Sequence, residues 1–260
     1  MARSLFTLLP VLTVAAGLAV ASRPAPVPNA PAAGRVPVVV ELFTSEGCLS
    51  CPAADAALRE LETAQSVPGV EVIALGQHVD YWNRLGWNDP FSAPRFTERQ
   101  RWYAQGFQTG SYTPQAVVNG RYEFVGSQRS ALAEAVAKAA QAPRATVTLV
   151  PAAPGTLRVS VGQLPAGTSA ARVELVLTET GLSSQVGRGE NSGQLLRHAA
   201  VVRAWRTLGP VGADGTLTAT APLNLDAAWK TANLRAVVLV QETGSRHVVG
   251  VASLPLAAAN

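Results

Sequence analysis

A pair of cysteines separated by two residues is the feature of this sequence that suggests the most chemistry. Cys48 and Cys51 are its two cysteines, and Pro52 follows them directly. A thiol near a helix N-terminus faces unpaired backbone N–H groups and the positive end of the helix dipole, and both favour the nucleophilic thiolate. The pair therefore predicts thiol–disulfide exchange, in which Cys48 attacks a substrate disulfide and Cys51 resolves the mixed disulfide. The partners would be protein thiols or disulfides and a separate redox protein, and no cofactor is required.

Two other interpretations of the same cysteines stay open. A secreted protein with two cysteines commonly holds one static disulfide, and the chain would then be a non-catalytic binding module. A loop this short gains little stability from such a cross-link, which counts against that interpretation. Alternatively, Cys48, Cys51 and His78 form a soft metal site for copper, as in a copper-binding protein or metallochaperone.

Position relative to the helix predicts which sulfur attacks. Cys48 precedes the helix, so we expect it to be the more exposed thiol, with Cys51 shielded in the first turn. Asp55 lies one helical turn after Cys51 and can accept a proton from that thiol, although the helix dipole alone favours a carboxylate there. Glu46 would oppose a thiolate at Cys48 if the two groups are close.

A polar and aromatic segment follows the apolar run Val70–Gly76; its candidate residues are His78, Asp80, Tyr81 and Trp82. If that run is a strand parallel to the one before the cysteines, both carboxyl ends share one sheet edge, where open α/β sheets bind ligands. We expect these side chains, with Thr113, to form a substrate or partner surface, and His78 to move protons near Cys48. Purely structural roles in a loop and in packing are the alternative.

The dipeptide Thr113-Pro114 precedes the run Ala116–Val118 and the tight-hairpin signal Asn119-Gly120. We predict a cis bond at this position. In a thioredoxin-type core this loop faces the cysteine pair and holds a substrate backbone close to the sulfurs, which makes Pro114 a candidate catalytic residue. An ordinary trans proline at a strand start is the alternative. The two remaining histidines, His198 and His247, show no obvious constellation.

Strands and helices alternate over residues 38–142. The order strand, helix, strand, helix, hairpin and helix is predicted at Val38–Phe43, Ala53–Gln65, Val70–Gly76, Pro94–Gln105, Ala116–Val125 and Ala131–Ala140. A strand–helix–strand unit implies parallel pairing with a right-handed crossover. This order is the minimal core of an α/β thioredoxin-like domain.

After Pro143 the pattern changes to short alternating runs separated by turn residues. The runs are 157–161, 173–177, 216–220, 234–240 and 248–254, and no convincing long helix accompanies them. Short strands at such spacing predict an all-β, sandwich-like C-terminal domain over residues 143–260.

The N-terminus indicates export. Arg3 and the apolar run Leu5–Val20 lead to the small residues Ala19-Val20-Ala21, which predicts a signal peptide at 1–21; an uncleaved anchor is the alternative. Residues 22–37 are rich in Pro and Ala and form a linker. We therefore expect a periplasmic or secreted protein with no membrane span after cleavage. The 48% apolar content excludes a wholly disordered chain, and the net charge of +4 comes from scattered arginines, so no nucleic-acid partner is expected.

Five segments carry a family resemblance: Glu41–Asp55, His78–Trp82, Leu85–Phe91, Glu98–Arg101 and Tyr112–Gln115. From about residue 37 to the C-terminus the chain resembles a bacterial family of secreted thioredoxin-like proteins classed as a domain of unknown function. The resemblance implies a thioredoxin-like fold with an added β-rich region. It places Cys48, Cys51, Pro52, His78, Asp80 and Pro114 on the family pattern. It implies no substrate, and the inner residues Leu49-Ser50 leave open whether the pair acts as reductant, oxidant or isomerase.

Overall fold

The computed structural model describes residues 34–258, together with Met1. The predicted signal peptide beyond Met1, and the linker as far as residue 33, lie outside the described residues. The helices are α1 (Cys51–Ala64), α2 (Pro94–Phe107) and α3 (Arg129–Ala139). The strands are β1 (Val36–Thr44), β2 (Val70–His78), β3 (Gln115–Val118), β4 (Tyr122–Val125), β5 (Thr146–Ala153), β6 (Thr156–Gly162), β7 (Ala171–Glu179), β8 (Ser183–Gln185), β9 (Leu195–Arg197), β10 (Val201–Pro210), β11 (Leu217–Pro222), β12 (Leu234–Glu242) and β13 (Val248–Pro255).

Every predicted element of the first half is present, because each has a strong local signal. β1 and β2 are apolar runs rich in β-branched residues, and they pair in parallel from Val36 opposite Val70 to Thr44 opposite His78. β3 pairs antiparallel with β1 and turns into β4 through Asn119 and Gly120, which both have positive φ. The carboxyl ends of β1 and β2 therefore meet at one edge of the sheet, as predicted.

Successive side chains of β1 point to opposite faces of the sheet, and helices pack on both faces. Val38, Val40 and Leu42 face α1 and α3 in one apolar cluster. Val39 points to the opposite face, where it shares a cluster with Phe96 of α2. Helices on both faces cover the strands completely, which explains why β1 and β2 are buried over almost their whole length.

The large sheet continues from the first half of the chain into the second. Its eight strands within the described residues follow the order β13-β12-β7-β10-β2-β1-β3-β4. The junction is between β10 and β2, where Val201 pairs with Gly76 and the Gly76 N–H donates to the Ala200 carbonyl at 2.6 Å. A Cβ at Gly76 would lie 3.1 Å from that carbonyl oxygen, so glycine permits the close approach. The fold is thus mixed α/β with one large, mostly β sheet.

The C-terminal half differs from the predicted sandwich because some of its strands belong to the same sheet as β1 and β2. β7, β10, β12 and β13 belong to the large sheet, while β11, β6 and β5 form a separate three-stranded sheet. One apolar cluster joins the two layers and includes Leu157, Val159, Val173 and Val238. The packing is sandwich-like, but one of its layers is the sheet that also carries the cysteine loop. The domain boundary at residue 143 stays a prediction.

A half-buried carboxyl group on α1 makes stability depend on pH. Glu62 accepts a hydrogen bond from the Ala74 N–H at 3.3 Å. Burial raises its pKa from 4.5 to about 7, against the smaller opposing effects of that hydrogen bond and of the Arg235 charge. Between these two values the folded state binds the proton more tightly than the unfolded state. The contribution of Glu62 is therefore complete below about pH 4.5 and is lost as the pH rises through about 7.

We expect Glu62→Gln to remove this dependence. The free energy of unfolding of the variant, minus that of the parent, should increase by about 1–2 kcal/mol between acidic and neutral pH and then stay constant. Urea unfolding followed by circular dichroism at several pH values measures it. Glu60→Gln, an exposed neighbour on the same helix, is the control; it removes an ion pair with Arg129, so its difference should fall, by no more than about 1 kcal/mol, over the same pH range. A difference for Glu62→Gln that stays flat or falls would contradict the expected titration.

Candidate functional site

The two cysteines lie where a strand passes into a helix. β1 ends at Thr44, a loop follows, and α1 begins at Cys51 with Pro52 in its first turn, where a missing N–H is tolerated. The Cys51 N–H donates to the Cys48 carbonyl at 3.2 Å and closes a tight turn. The two sulfurs are joined in a disulfide, with the Cα atoms 5.4 Å apart. The predicted pairing of Cys48 with Cys51 is thus observed.

The expectation that Cys48 is the more exposed thiol is wrong. Cys48 is 0% exposed and Cys51 is 1% exposed, although Leu49 between them is 62% exposed. Residues 186–194, which connect β8 to β9 and are called here the covering loop, lie against the cysteine loop. Asn191 Nδ2 donates to the carbonyls of Glu46 and Cys48 at 2.9 and 3.0 Å. These contacts span more than 140 residues, so no local pattern around Cys48 indicates them.

The Thr113–Pro114 bond is cis, which confirms the prediction. Gln115 pairs with Phe43, so the dipeptide lies beside the end of β1, where the cysteine loop begins. Trp82 Nε1 donates to Thr113 Oγ1 at 2.8 Å. The Trp82 Cβ also lies 3.1 Å from the point where a Cβ on Gly47 would be. Trp82 therefore joins the Thr113–Pro114 segment to the residue that precedes Cys48.

The candidate surface residues have different environments. Asp80, Tyr81, Trp82 and Thr113 are half-buried, whereas His78 is only 1% exposed and is not part of any surface. It lies at the end of β2, opposite Thr44, which is the last residue of β1 before the cysteine loop. There Nδ1 lies 2.7 Å from Asp89 Oδ2. His78 is therefore an interior residue of the site.

A buried group of five residues, called here the carboxylate–histidine cluster, lies next to the cysteine loop: Glu46, Asp55, His78, Asp89 and His198. Glu46 Oε1 lies 2.9 Å from His198 Nε2, and its Oε2 accepts from Trp87 Nε1 at 2.7 Å. Asp89 Oδ2 also accepts the Glu46 N–H at 2.9 Å. The cluster thus begins two residues before Cys48, and hydrogen bonds connect four of its members, Glu46, Asp89, His78 and His198.

The remaining members of the cluster, Asp55 and His198, come from the first and the second half of the chain. Asp55 Oδ2 accepts from Thr44 Oγ1 at 2.7 Å, and Oδ1 accepts from the Ala199 N–H at 3.2 Å. His198 reaches the site because β10 begins beside the end of β2, and the residues before β10 therefore meet the same edge. The sequence does not indicate that His198 belongs to this site, since only the β10–β2 pairing brings it close to His78. A proton transfer between Asp55 and Cys51 stays a prediction.

Electrostatics favour positive charge inside the cluster. Burial alone lowers the pKa of His78, but the Asp89 carboxylate, its hydrogen bond and the charges of Asp55 and Glu46 together raise the pKa above its usual value. Burial raises the pKa of Asp89, yet the His78 charge and hydrogen bonds from the backbone lower it overall. The pair therefore favours a carboxylate facing a cation.

Possible metal ligands are found in the cluster rather than at the sulfurs. Among residues 34–258, Asp55, His78 and His198 offer ligand atoms within 4.8 Å of one another, and neither cysteine belongs to that group. A copper site at Cys48, Cys51 and His78 would need the reduced thiols and stays a prediction. None of the helices in this part of the chain is both long and apolar enough to span a bilayer.

Comparisons with known proteins support the resemblance to a family of unknown function, and its thioredoxin-like character stays a prediction. A family profile described as "Protein of unknown function (DUF1223)" matches residues 39–241. The X-ray crystal structure of protein AGR_C_4864 from Agrobacterium tumefaciens is similar, with 28% sequence identity and a TM-score of 0.66 over 88% of this chain and 97% of that one. No curated protein matches. The similarity therefore supports the fold and leaves the activity to be argued from the site.

Proposed function

Since the chain belongs to the DUF1223 family of proteins of unknown function, we propose from its site that it is an extracytoplasmic thiol–disulfide oxidoreductase with a thioredoxin-like core. The observation that carries the proposal is the Cys48–Cys51 disulfide at the junction of a buried strand and a helix, beside a cis-proline loop. A helix N-terminus favours the thiolate that such exchange requires. The predicted signal peptide would place the protein in a compartment where disulfides persist.

The exchange needs only the two sulfurs and a protein partner. In the reducing direction, the Cys48 thiolate attacks a substrate disulfide, and one substrate thiolate leaves. The Cys51 thiolate then attacks Cys48, the second substrate thiolate leaves, and the Cys48–Cys51 disulfide forms. Two electrons pass to the substrate, and a dithiol partner protein restores the reduced pair. The reverse sequence oxidises substrate thiols with the same atoms.

Access to the sulfurs is controlled by the covering loop. Cys48 and Cys51 are both buried, so a substrate sulfur reaches Cys48 only when this loop moves or a partner displaces it. The loop is held by Asn191 and by Glu190, whose carboxylate accepts the Leu49 N–H at 3.0 Å. Trp82 and Thr113 lie beside the same loop of cysteines and are the residues we assign to substrate binding.

A redox titration tests the proposal. The purified protein is equilibrated in thiol–disulfide buffers of graded potential, alkylated and weighed by mass spectrometry. We expect the midpoint potential of the disulfide to lie above about −300 mV, because structural disulfides of secreted proteins have midpoint potentials below that value. The protein should also catalyse exchange in a disulfide-bonded protein substrate. A pair that stays oxidised below that range and shows no turnover would identify a static disulfide and contradict the proposal.

A further inference from the structure

One nitrogen inside the carboxylate–histidine cluster has no hydrogen-bond partner. His78 Nε2 is completely buried and unpaired among the described residues, while Nδ1 of the same ring faces Asp89. Leaving a buried polar atom unsatisfied costs about 1–3 kcal/mol. Such an atom calls for a partner, which a water molecule or a bound ion would supply.

Two neighbouring residues also offer ligand atoms. Asp55, His78 and His198 each offer one atom, and these atoms lie within 4.8 Å of one another. His198 Nδ1 and Asp55 Oδ1 are 4.0 Å apart, which is too long for a hydrogen bond. Two atoms bound to one tetrahedral zinc ion at about 2.1 Å are about 3.4 Å apart. Side-chain adjustments that close these separations by up to about 1.4 Å would therefore bring all three donors onto one ion.

The outer contacts have the arrangement that orients ligating histidines. Asp89 holds Nδ1 of His78 at 2.7 Å, and Glu46 holds Nε2 of His198 at 2.9 Å. A carboxylate on one ring nitrogen keeps the proton there and leaves the other nitrogen free to bind a metal. The nitrogens left free of a carboxylate hydrogen bond are therefore Nε2 on His78 and Nδ1 on His198. This pattern on two rings is hard to explain by packing alone.

Charge also favours a divalent cation. Three carboxylates of the cluster, those of Glu46, Asp55 and Asp89, are at most 4% exposed. Over residues 34–258 their salt-bridge partners are histidines, and no lysine or arginine pairs with them. Buried carboxylates without a positive partner are strongly unfavourable, and a divalent cation bound between neutral histidines would supply the positive charge that the cluster otherwise gains by protonating His78.

We propose that Asp55, His78 and His198 bind one divalent transition-metal ion, of which zinc is the best fit. Two imidazoles and one carboxylate suit zinc, with a water molecule as the fourth ligand. A cavity of about 10 Å³ lined by Asp55 and His198 has the size of one water. The site is independent of the proposed redox function, because none of its ligands is a sulfur. It would fix the start of β10 against α1 beneath the cysteine loop.

Zinc binding to the oxidised protein tests this assignment. With the disulfide intact, neither cysteine can ligate. Metal-free protein is titrated with Zn²⁺ in a calorimeter, and the loaded protein is measured by zinc X-ray absorption. We expect one equivalent bound through nitrogen and oxygen at about 2.0–2.1 Å, with imidazole scattering and no sulfur at about 2.3 Å. Absence of stoichiometric binding, or a sulfur shell, would overturn the proposal without affecting the redox titration.

Variants identify the ligands. Asp55→Asn keeps the size of the side chain and its capacity to accept from Thr44, so the fold should survive and metal-free circular dichroism verifies this. It should weaken zinc binding by more than the 10- to 100-fold expected for Asp89→Asn, which alters only an outer contact. His78→Gln should behave as Asp55→Asn does. The matched control is His247→Gln, a histidine outside the cluster, which should leave the affinity unchanged. Equal loss in all variants, or in none, would show adventitious binding and refute the site.

Discussion

Cys51→Ala should accumulate mixed disulfides with its substrates, and catalytic turnover should fall to background. The variant keeps Cys48 able to attack but removes the only sulfur that can release the captured partner. Each molecule would therefore stop after one exchange, as a stoichiometric adduct. A non-reducing gel of extracts from the native host, followed by mass spectrometry of the shifted bands, detects the adducts and names the substrates.

Two controls define that experiment. Cys48→Ala should form no adduct, because it lacks the attacking sulfur. Val150→Ala changes an exposed side chain of β5, outside the site, and should keep the parent's turnover. If Cys51→Ala captures nothing and the parent shows no exchange activity, the redox proposal fails. Capture by Cys48→Ala instead would reverse the assignment of the attacking and resolving sulfurs.

Because both sulfurs are buried, the rate of capture should also depend on how readily the covering loop moves. The covering loop is held partly by the two hydrogen bonds of Asn191, each with a net value of about 0.5–1.5 kcal/mol. Asn191→Ala in the Cys51→Ala background should therefore speed capture by about 5- to 100-fold. An unchanged rate would mean that the sulfurs become accessible by some other motion. The loop would then have a purely structural role.

Local signals predicted the first half of the fold well. The apolar runs of β1 and β2, the Asn119-Gly120 turn and the proline before β3 each depend on a few neighbouring residues, and the structure confirms all of them. β10 escaped prediction because most of its residues are only half-buried, so its hydrophobic pattern is weak. Without β10 the link between the two halves of the sheet could not be predicted, since β10 pairs with β2 on one side and β7 on the other.

Only the parts of the site that depend on short local motifs were predicted from the sequence. Cys48, Cys51 and the cis bond before Pro114 depend on short motifs. His198 and Asn191 enter the site through contacts that span more than 140 residues, and no spacing rule relates them to Cys48. The same distance explains the wrong expectation about exposure at Cys48. An exposed helix N-terminus was inferred from the helix alone, whereas a loop from the other half lies over it.

A buried ion pair behind the cysteine loop should dominate the stability of the sheet. Glu41 of β1 is 0% exposed, and its carboxylate accepts from Arg99 of α2, from the Tyr103 hydroxyl at 2.6 Å and from Gln77 Nε2 at 2.6 Å. Burial alone lowers the pKa of Arg99, but Glu41 reverses this and raises it above its usual value. The guanidinium also lies 4.1 Å from the centroid of the Trp205 ring on β10. Glu41 therefore links both halves of the sheet through Arg99.

Glu41→Ala should destabilise the protein by about 3–5 kcal/mol, because it leaves the Arg99 charge buried without its carboxylate. Urea unfolding measures the loss. Glu60→Ala, which breaks the exposed pair with Arg129, is the matched control and should cost no more than about 1 kcal/mol. The double variant Glu41→Leu with Arg99→Met removes both charges and should recover much of the stability, since a buried pair replaced by apolar residues is often neutral. A loss for Glu41→Ala as small as that of the control would show that water reaches Arg99, and that the two halves of the sheet are held together by apolar packing and the β10–β2 backbone hydrogen bonds.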